Sequence, residues 1–145
     1  MFPIKNNSKH YIMMDEKIRV GITHGDFNGI GYEVIVKALA ADGITELMTP
    51  VVFCDRRLFD RACKEAGVQF QGLNIISSAE DAEDGVVNIV DLCLQDISVT
   101  PGQPTAASGA AAVKALEEAV RAVSENDIDV LVTAPISKEA VQSDS

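Results

Sequence analysis

The chain has 145 residues, of which 47% are hydrophobic and 23% charged, so it can bury an ordinary globular core. Its formal net charge of −10 argues against a nucleic-acid or anionic-membrane surface, because either would need clustered Lys and Arg. Cys54, Cys63 and Cys93 lack any C-x-x-C spacing, which is typical of buried free thiols in a reducing compartment. We therefore expect a cytoplasmic protein with no nucleic-acid or membrane partner.

Taken in chain order, the sequence predicts strands that alternate with helices. Residues 1–17 are polar and unpatterned, which predicts a flexible N-terminal tail. From there on, short apolar runs alternate with amphipathic stretches, the pattern of a mainly parallel sheet with helices on both faces. The predicted strands are 18–23, 50–54, 73–76, 86–92 and 129–136, and the predicted helices are 32–41, 57–66 and a helix capped by Thr105 or Ser108 that reaches about residue 124.

Two of these elements carry specific expectations about burial. In the first helix we expect an inward face made of Val34, Ile35, Ala38 and Leu39. The last strand, "DVLVTAPI", reads as a continuous apolar run, which indicates a strand covered on both faces. Ser137 then caps a further helix. Because that helix opens a new βα unit close to the end of the chain, we expect residues 18–145 to be a truncated α/β portion of a larger protein.

A glycine-rich loop follows the first strand, in the stretch "VGITHGDFNGIGYEVIVKAL". Its spacing is G-x-x-x-G-x-G, so it fails the dinucleotide-binding pattern G-x-G-x-x-G, and no Lys-Ser/Thr follows the last glycine as a Walker A loop requires. Two interpretations stay open: a loop that lets a ligand approach the backbone, or a tight turn stabilised by Asp26.

Polar residues follow three of the predicted strands. Thr23–Asp26 end the first strand, Asp55 follows the second, and Thr133 with Lys138 follows the last. Ligands of open parallel sheets bind outside the carboxyl ends of the strands, so together these residues indicate a functional rim. Each residue alone has a plainer interpretation, since an Asp or Thr in such a place is usually a helix cap and a first-turn Lys is often only solvated.

Three ordered segments resemble the 4-hydroxythreonine-4-phosphate dehydrogenase family. "THGDFNGIGYEV" resembles its opening signature, T-x-G-D/E-P-x-G-I-G-P-E, and "GQPTAASGAAAVKALEEAV" and "VLVTAPISKEAV" resemble its next two landmarks. The chain departs from the signature at Phe27 and Tyr32, where proline is usual, and it carries His24 at the variable position. Proline pre-sets turn geometry, so these departures concern the shape of the loop.

The resemblance implies part of an isocitrate/isopropylmalate dehydrogenase-like fold and a function in pyridoxal phosphate (vitamin B6) biosynthesis. It also implies that residues 18–145 are the N-terminal α/β portion of a larger, two-domain enzyme. It implies an NAD-dependent oxidation of 4-phosphohydroxythreonine with decarboxylation, a divalent metal (Zn, Mg or Co) that polarises the substrate oxygen, and a homodimer. The family's metal-binding histidines and main substrate ligands lie beyond the last matched segment. We therefore expect no catalytic and no metal-binding residue in this chain, and no activity from the chain alone.

Within the predicted rim, the resemblance assigns roles only to residues after the first strand and after the last strand. The residues that it assigns to the cofactor side are Thr23, Gly25, Asp26, Gly29 and Gly31. The residues that it assigns to the substrate cleft are Thr133 and Lys138. Two alternatives are a receiver-like module and a phosphate-ester-binding module without catalysis. Acidic strand ends followed by a Thr and a Lys also suit a phospho-acceptor site.

Overall fold

The computed structural model describes residues 17–136. The predicted tail, except for its last residue, and the helix predicted to begin at Ser137 lie outside the described residues. The strands are β1 (Ile18–Thr23), β2 (Met48–Cys54), β3 (Leu73–Ile76), β4 (Val87–Asp91) and β5 (Val130–Thr133). The α-helices are α1 (Gly31–Leu39), α2 (Ile44–Leu47), α3 (Arg56–Ala66) and α4 (Ala106–Ser124), and a 3₁₀-helix covers Ala79–Asp81.

The five strands form one parallel sheet in the order β3-β4-β2-β1-β5. β2 pairs with β1, and β3 and β4 extend the sheet on the far side of β2. Helix α4 then carries the chain back, so that β5 pairs with the other side of β1. Crossovers between parallel strands are right-handed, so this reversal places α4 on the opposite face from α1 and α3. The predicted fold class is confirmed, and the reversal brings the exits of β1 and β5 together.

Local sequence signals fix the ends of the two longest helices. At the start of α3 the Asp55 carboxylate accepts from the Arg57 amide (2.9 Å), and Gly67 ends the helix in the left-handed conformation at φ 68°. At the start of α4, the Thr105 and Ser108 side chains each accept from the other's amide, at 3.1 and 3.0 Å, in a reciprocal capping box. Of the two predicted candidates, Thr105 is therefore the N-cap of α4.

The inward face of α1 differs from the prediction. Ile35 and Leu39 are buried as expected, but Val34 is 49% exposed and Ala38 also faces outward. The buried stripe instead runs through Tyr32 and Val36. The exposed face carries the charged residues Glu33 and Lys37, and Val34 and Ala38 lie beside them on that face. The Tyr32 ring lies on the buried face, where it stacks on His24.

The last strand is shorter and less covered than predicted. It ends at Thr133, and within the described residues it lies at the edge of the sheet with one neighbour, β1. Val130 is 47% and Val132 52% exposed, so the prediction of a strand covered on both faces is wrong for this part of the chain. The apolar run reflects a surface that the described residues do not cover.

The three cysteines differ in burial. All three cysteines are free, as predicted, but only Cys54 is buried, while Cys93 is exposed. Cys54 lies in the central strand β2, whereas Cys93 belongs to the loop after β4, which explains the difference in burial.

Among residues 17–136, no helix has both the length and the apolar character needed to cross a membrane.

Candidate functional site

The turn after β1 is attached directly to the segment after β5. The amide of Asp26 donates to the carbonyl of Pro135 (3.1 Å), and the amide of Ala134 donates to the carbonyl of Thr23 (3.0 Å). Gly25 adopts φ +71°, and a Cβ there would lie 2.2 Å from the Pro135 oxygen. Gly25 is therefore required both by its left-handed conformation and by the close passage of the chain's own backbone.

The other two glycines of the loop differ sharply. A Cβ on Gly31 would lie 2.2 Å from the carbonyl oxygen of His24, so the start of α1 packs against the chain where it leaves β1. A Cβ on Gly29 would meet nothing closer than 3.4 Å, an ordinary contact with the Asp26 oxygen. Gly29 is exposed, whereas Gly25 and Gly31 are buried. Of these three loop glycines, Gly29 is therefore the one whose backbone is accessible to solvent.

Asp26 stabilises the turn itself. Its carboxylate accepts from the amide of Asn28 (2.9 Å), and its carbonyl accepts from the amide of Gly29 (3.0 Å). This is the local Asx pattern that lets a short acidic side chain replace a backbone partner. It is the geometry that the tight-turn interpretation expects, and α1 itself has no side-chain cap at Ile30.

Asn28 connects the turn to the loop before α4. Its side-chain amide donates to the Gln103 carbonyl (2.9 Å), and its side-chain oxygen accepts from the Thr100 amide (2.7 Å). Its own carbonyl accepts from the amide of Gly102 (2.7 Å). Asn28 is only 4% exposed, and a buried amide with all these partners fixes two loops against each other. Asn28 is not among the predicted site residues, although Asp-x-Asn in a glycine-rich turn is a recognisable signal.

Asp55 acts as a structural cap between β2, α3 and the loop after β4. Its fully buried carboxylate accepts from the Arg57 side chain at 2.7 and 3.0 Å and from the Leu94 amide at 2.9 Å. Burial works to raise the pKa of this carboxyl, but the hydrogen bonds from Arg57 and Leu94 outweigh it and hold the pKa below its usual value. The plainer interpretation of Asp55, as a helix cap, is the one that the geometry supports.

His24 and Tyr32 form a stacked pair beneath the turn. Their ring centroids are 5.1 Å apart with an interplanar angle of 27°. The Tyr32 hydroxyl accepts from the Asp55 amide (3.0 Å), so the pair connects the turn to the start of α3. His24 is fully buried, and neither ring nitrogen has a hydrogen-bond partner among the described residues. Burial lowers the pKa of His24 to about 4, so the ring is neutral at physiological pH.

Two open grooves border the carboxyl edge of the sheet. The first, of about 470 Å³, has an apolar floor that includes Phe27 and Tyr32, with Gly29 at its rim. Its two cations are already paired, Lys37 with Glu33 at 2.6 Å and Arg61 with Glu65 at 2.8 Å. These pairs leave the groove without a free positive charge for a phosphate.

The second groove lies at the start of α3 and has a volume of about 600 Å³. The amide of Arg56 donates to the Asp91 carboxylate (3.2 Å), and the amide of Arg57 donates to Asp55. The Arg56 side chain pairs with Asp60 at 3.4 Å. Since carboxylates of the chain already occupy this helix start, it offers no ready anion site.

The described residues do not by themselves fit the two groups that the family resemblance implies. Between residues 17 and 136 there is no cluster of three or more His, Cys, Asp or Glu that could hold a metal ion. For NAD, the Asp26 carboxylate is already bound within the turn, and the backbone of the chain fills the space beside Gly25 and Gly31. The described residues therefore provide neither a metal site nor an NAD site on their own.

The structure brings together part of the predicted set. Thr23, Gly25, Asp26 and Gly31 lie beside the exit of β5, where Thr133 is the register partner of Thr23. Gly29 points away from that junction towards the first groove. Lys138 lies outside the described residues. Ligand contacts for these residues stay a prediction, because their close approaches described here are to the chain itself.

Comparison with known proteins gives a consistent result. A sequence model of the family described as "Pyridoxal phosphate biosynthetic protein PdxA" matches residues 46–145. Over 132 residues the chain is 37% identical to the 4-hydroxythreonine-4-phosphate dehydrogenase of Bacteroides thetaiotaomicron, covering 91% of this chain and 36% of that protein. Over 126 residues it is 36% identical to the D-threonate 4-phosphate dehydrogenase of Cupriavidus necator, covering 86% and 38%.

Solved structures agree with these matches. The chain superposes on a 4-hydroxythreonine-4-phosphate dehydrogenase from Burkholderia phymatum with a TM-score of 0.81 and 32% identity, over 90% of this chain and 40% of that one. It also resembles a terephthalate 1,2-cis-dihydrodiol dehydrogenase from Burkholderia xenovorans, with a TM-score of 0.66 and 28% identity.

The parallel sheet and the polar turns at its carboxyl edge define an open-sheet α/β protein, the class of fold to which the superposed dehydrogenase structures also belong. More specifically, the chain belongs to the PdxA family, because the family model matches more than half of its length. The fold implied by the resemblance is confirmed by the superposition. The chain spans only 36% to 40% of the length of these relatives, and it corresponds to their N-terminal portion.

Proposed function

We propose that this chain supplies the N-terminal portion of an NAD-dependent dehydrogenase that oxidises 4-phosphohydroxythreonine, with decarboxylation, in pyridoxal phosphate biosynthesis. The observation that carries this function is the family match together with 37% identity to a relative of that name over 132 residues. The alternatives of a receiver-like module or a non-catalytic phosphate-ester module are not favoured, because the matched relatives are named as dehydrogenases.

The role of the described residues in that function is to shape one wall of the active-site cleft. We propose that Thr23, Gly25, Asp26, Gly29 and Gly31 lie near the cofactor, and that Thr133 and Lys138 lie near the substrate. The attachment of the β1 turn to the segment after β5 supports this proposal, since it fixes two strand exits at the reversal point of the sheet, the usual ligand position in such folds.

The cofactors and assembly follow from the same proposal. NAD would accept the hydride, and a divalent metal would polarise the substrate oxygen, with its ligands supplied by residues other than those described. We propose that the whole protein is a cytoplasmic homodimer. Three free cysteines and a net charge of −10 are compatible with the cytoplasmic location.

A second substrate has a specific observation in its favour. The relative from Cupriavidus necator is named for D-threonate 4-phosphate and is 36% identical, almost the same as the 37% of the relative from Bacteroides thetaiotaomicron. The two names differ in chemistry at one carbon, which bears an amine in threonine and a hydroxyl in threonate. A site built for the ammonium group would reject the hydroxyl analogue, because its polar partners would be left unpaired.

The experiment joins this chain to the part of the Bacteroides thetaiotaomicron relative that lies beyond the matched segment. The chimera is assayed for NAD reduction with 4-phosphohydroxythreonine and, separately, with D-threonate 4-phosphate. A higher kcat/KM for the first compound supports the proposed substrate, and a higher value for the second overturns that choice. Because the specificity residues of the relative enter the chimera, the same comparison is made with the Cupriavidus necator portion. A preference that simply follows the donor assigns substrate choice to the rest of the enzyme.

A further inference from the structure

We propose that His24 and Tyr32 act as a positioning pair that holds the glycine-rich turn after β1, and that protonation of His24 releases the turn. The pair includes Tyr32, which stands where the family signature has proline, and His24, which stands at its variable second position. This role concerns the conformation of the turn and does not depend on the proposed dehydrogenase activity.

The pair is fixed at both ends. The Tyr32 hydroxyl accepts from the Asp55 amide (3.0 Å), so that ring is held at the start of α3. The backbone at His24 is confined because its carbonyl oxygen lies 2.2 Å from the place where a Cβ of Gly31 would be. The next two residues are Gly25 and Asp26, and the Asp26 amide is bound to Pro135. Displacement of the His24 ring therefore moves the turn.

The stacked geometry suits a neutral ring and not a charged one. His24 is fully buried, and neither ring nitrogen has a hydrogen-bond partner among the described residues. The backbone of Gly25 and of Ala111 in α4 lies near the ring and slightly favours the cation, without forming a hydrogen bond of good geometry. The neutral ring already leaves one N–H donor and one acceptor nitrogen unpaired, and protonation would convert the acceptor into a second unpaired donor and add a buried charge.

The surrounding charges do not compensate for this burial. The groups that face His24 are Asp26 in its own loop and Asp55 at the start of α3, and both favour the cation. From α1 it faces Tyr32, whose pKa burial raises well above its usual value, so that it is uncharged. Burial outweighs the two carboxylates and lowers the pKa of His24 to about 4. In an opened turn the ring would return to its ordinary value of about 6.5.

The linkage gives the sign of the effect. Above pH 6.5 both closed and opened turns hold a neutral ring, so pH has no influence through His24. Between pH 6.5 and about 4 only the opened turn binds the proton, and its population rises by up to about tenfold per pH unit. The chain would therefore lose order at this turn under mildly acidic conditions.

Hydrogen exchange of the 145-residue chain tests the proposal. The Asp26 and Gly29 amides report the turn, and the amides of β2 report global unfolding. After correction for the intrinsic pH dependence of exchange, we expect the opening of the turn to rise by about 10- to 100-fold between pH 6.5 and 4.5, and to exceed any rise in β2. His24→Phe keeps an aromatic ring for the stack and removes the titration, so it should abolish this rise. A rise that persists in His24→Phe, or is absent in the original chain, would overturn the proposal.

Two further measurements do not require His24→Phe to fold. In His10→Gln, His24 is the remaining histidine, and its ring proton shifts can be followed by NMR. A midpoint below about pH 5 supports the pair, and a midpoint near 6.5 overturns it. Tyr32→Phe removes only the hydroxyl, so turn opening should increase at pH 7 while the pH dependence is kept. Unchanged opening at pH 7 in this variant would overturn the positioning role of Tyr32.

Discussion

The amide of Asp26 donates a 3.1 Å hydrogen bond to the carbonyl of Pro135, so residues more than 100 positions apart meet at the carboxyl edge of the sheet. The contact exists because β5 returns to pair with β1 after the chain has built the other half of the sheet. It joins two segments in which the sequence shows family signatures. The turn after β1 and the segment after β5 are therefore one structural unit.

The two glycines at the start of α1 give the first prediction. Gly31→Ala places a Cβ 2.2 Å from the His24 carbonyl oxygen, which cannot move without shifting β1, so we expect a loss of roughly 1–3 kcal/mol in the free energy of unfolding. Gly29→Ala is the matched control. Its Cβ meets nothing closer than 3.4 Å, and the change should be within about 0.5 kcal/mol of zero.

Urea denaturation measures both variants. Equal destabilisation by the two substitutions would show that the packing around Gly31 is not the cause. In an active enzyme, substitutions at Gly31 and Gly29 distinguish a structural role of each glycine from contact with a ligand. An effect of Gly29→Val on the KM for NAD without loss of stability would indicate close approach of the cofactor.

The second prediction concerns Asn28. Asn28→Ala removes two side-chain hydrogen bonds, to the Gln103 carbonyl and from the Thr100 amide, at a combined cost of about 1–3 kcal/mol. The loop of residues 100–105 should then be cut faster by protease and exchange its Thr100 amide faster. Asn126→Gly is the control, because Asn126 is exposed and glycine tolerates its φ of 63°, and it should leave the loop protected. If the loop exchanges no faster in Asn28→Ala, Asn28 does not hold it.

The third prediction is the acid dependence of Asp55. Its pKa is lowered in the folded chain, so its contribution to stability is fully present above the ordinary value of 3.8 and is lost as pH falls through the folded pKa. Asp55→Asn should therefore reduce stability at pH 7 by about 1–3 kcal/mol and flatten the decline below pH 4.

Asp60→Asn provides the comparison for Asp55, because Asp60 forms only an exposed ion pair with Arg56. Denaturation midpoints at a series of pH values from 2.5 to 7 measure both variants. An Asp55→Asn variant that is as stable as the original chain at pH 7, or that loses stability in acid just as steeply, would contradict the role of Asp55 as a buried cap.

The fourth prediction is self-association of the isolated chain through β5. Val130, Val132 and Ile136 are about half exposed at a sheet edge that has no partner within residues 17–136. Exposed apolar edges pair with other chains, so we expect concentration-dependent association in sedimentation velocity. Val132→Lys should reduce it, while Val34→Lys, at a similarly exposed site on α1, should not. A monodisperse monomer that binds no hydrophobic dye would refute this expectation.

Much of the fold follows from local patterns that the sequence displays openly. The alternation of apolar runs and amphipathic segments predicted all five strands, and the cap residues Asp55 and Thr105 mark the starts of α3 and α4. These signals are local, because a cap or a strand pattern depends on a few neighbouring residues. The face of α1 and the exposure of β5 are not local properties, since they depend on what packs against each element.

The candidate site was predicted less completely for the same reason. The residues of the rim were recognised from their positions at strand ends and from the family signatures. The partners that hold them were not: Asn28 binds residues more than 70 positions away, and the His24–Tyr32 stack requires α1 to fold back beneath the turn. A single sequence gives no measure of such long-range pairs.

The central claim is that this chain forms the N-terminal portion of a dehydrogenase, and NADH formation tests it most directly. The chain alone should show no turnover with 4-phosphohydroxythreonine, because the described residues contain no metal site and no complete cofactor cradle. Joined to the remaining part of the Bacteroides thetaiotaomicron relative, it should reduce NAD at an enzymatic rate, on the order of 1 per second or more. A folded chimera that forms no NADH with either phosphorylated substrate, or full turnover by the isolated chain, would contradict the claim.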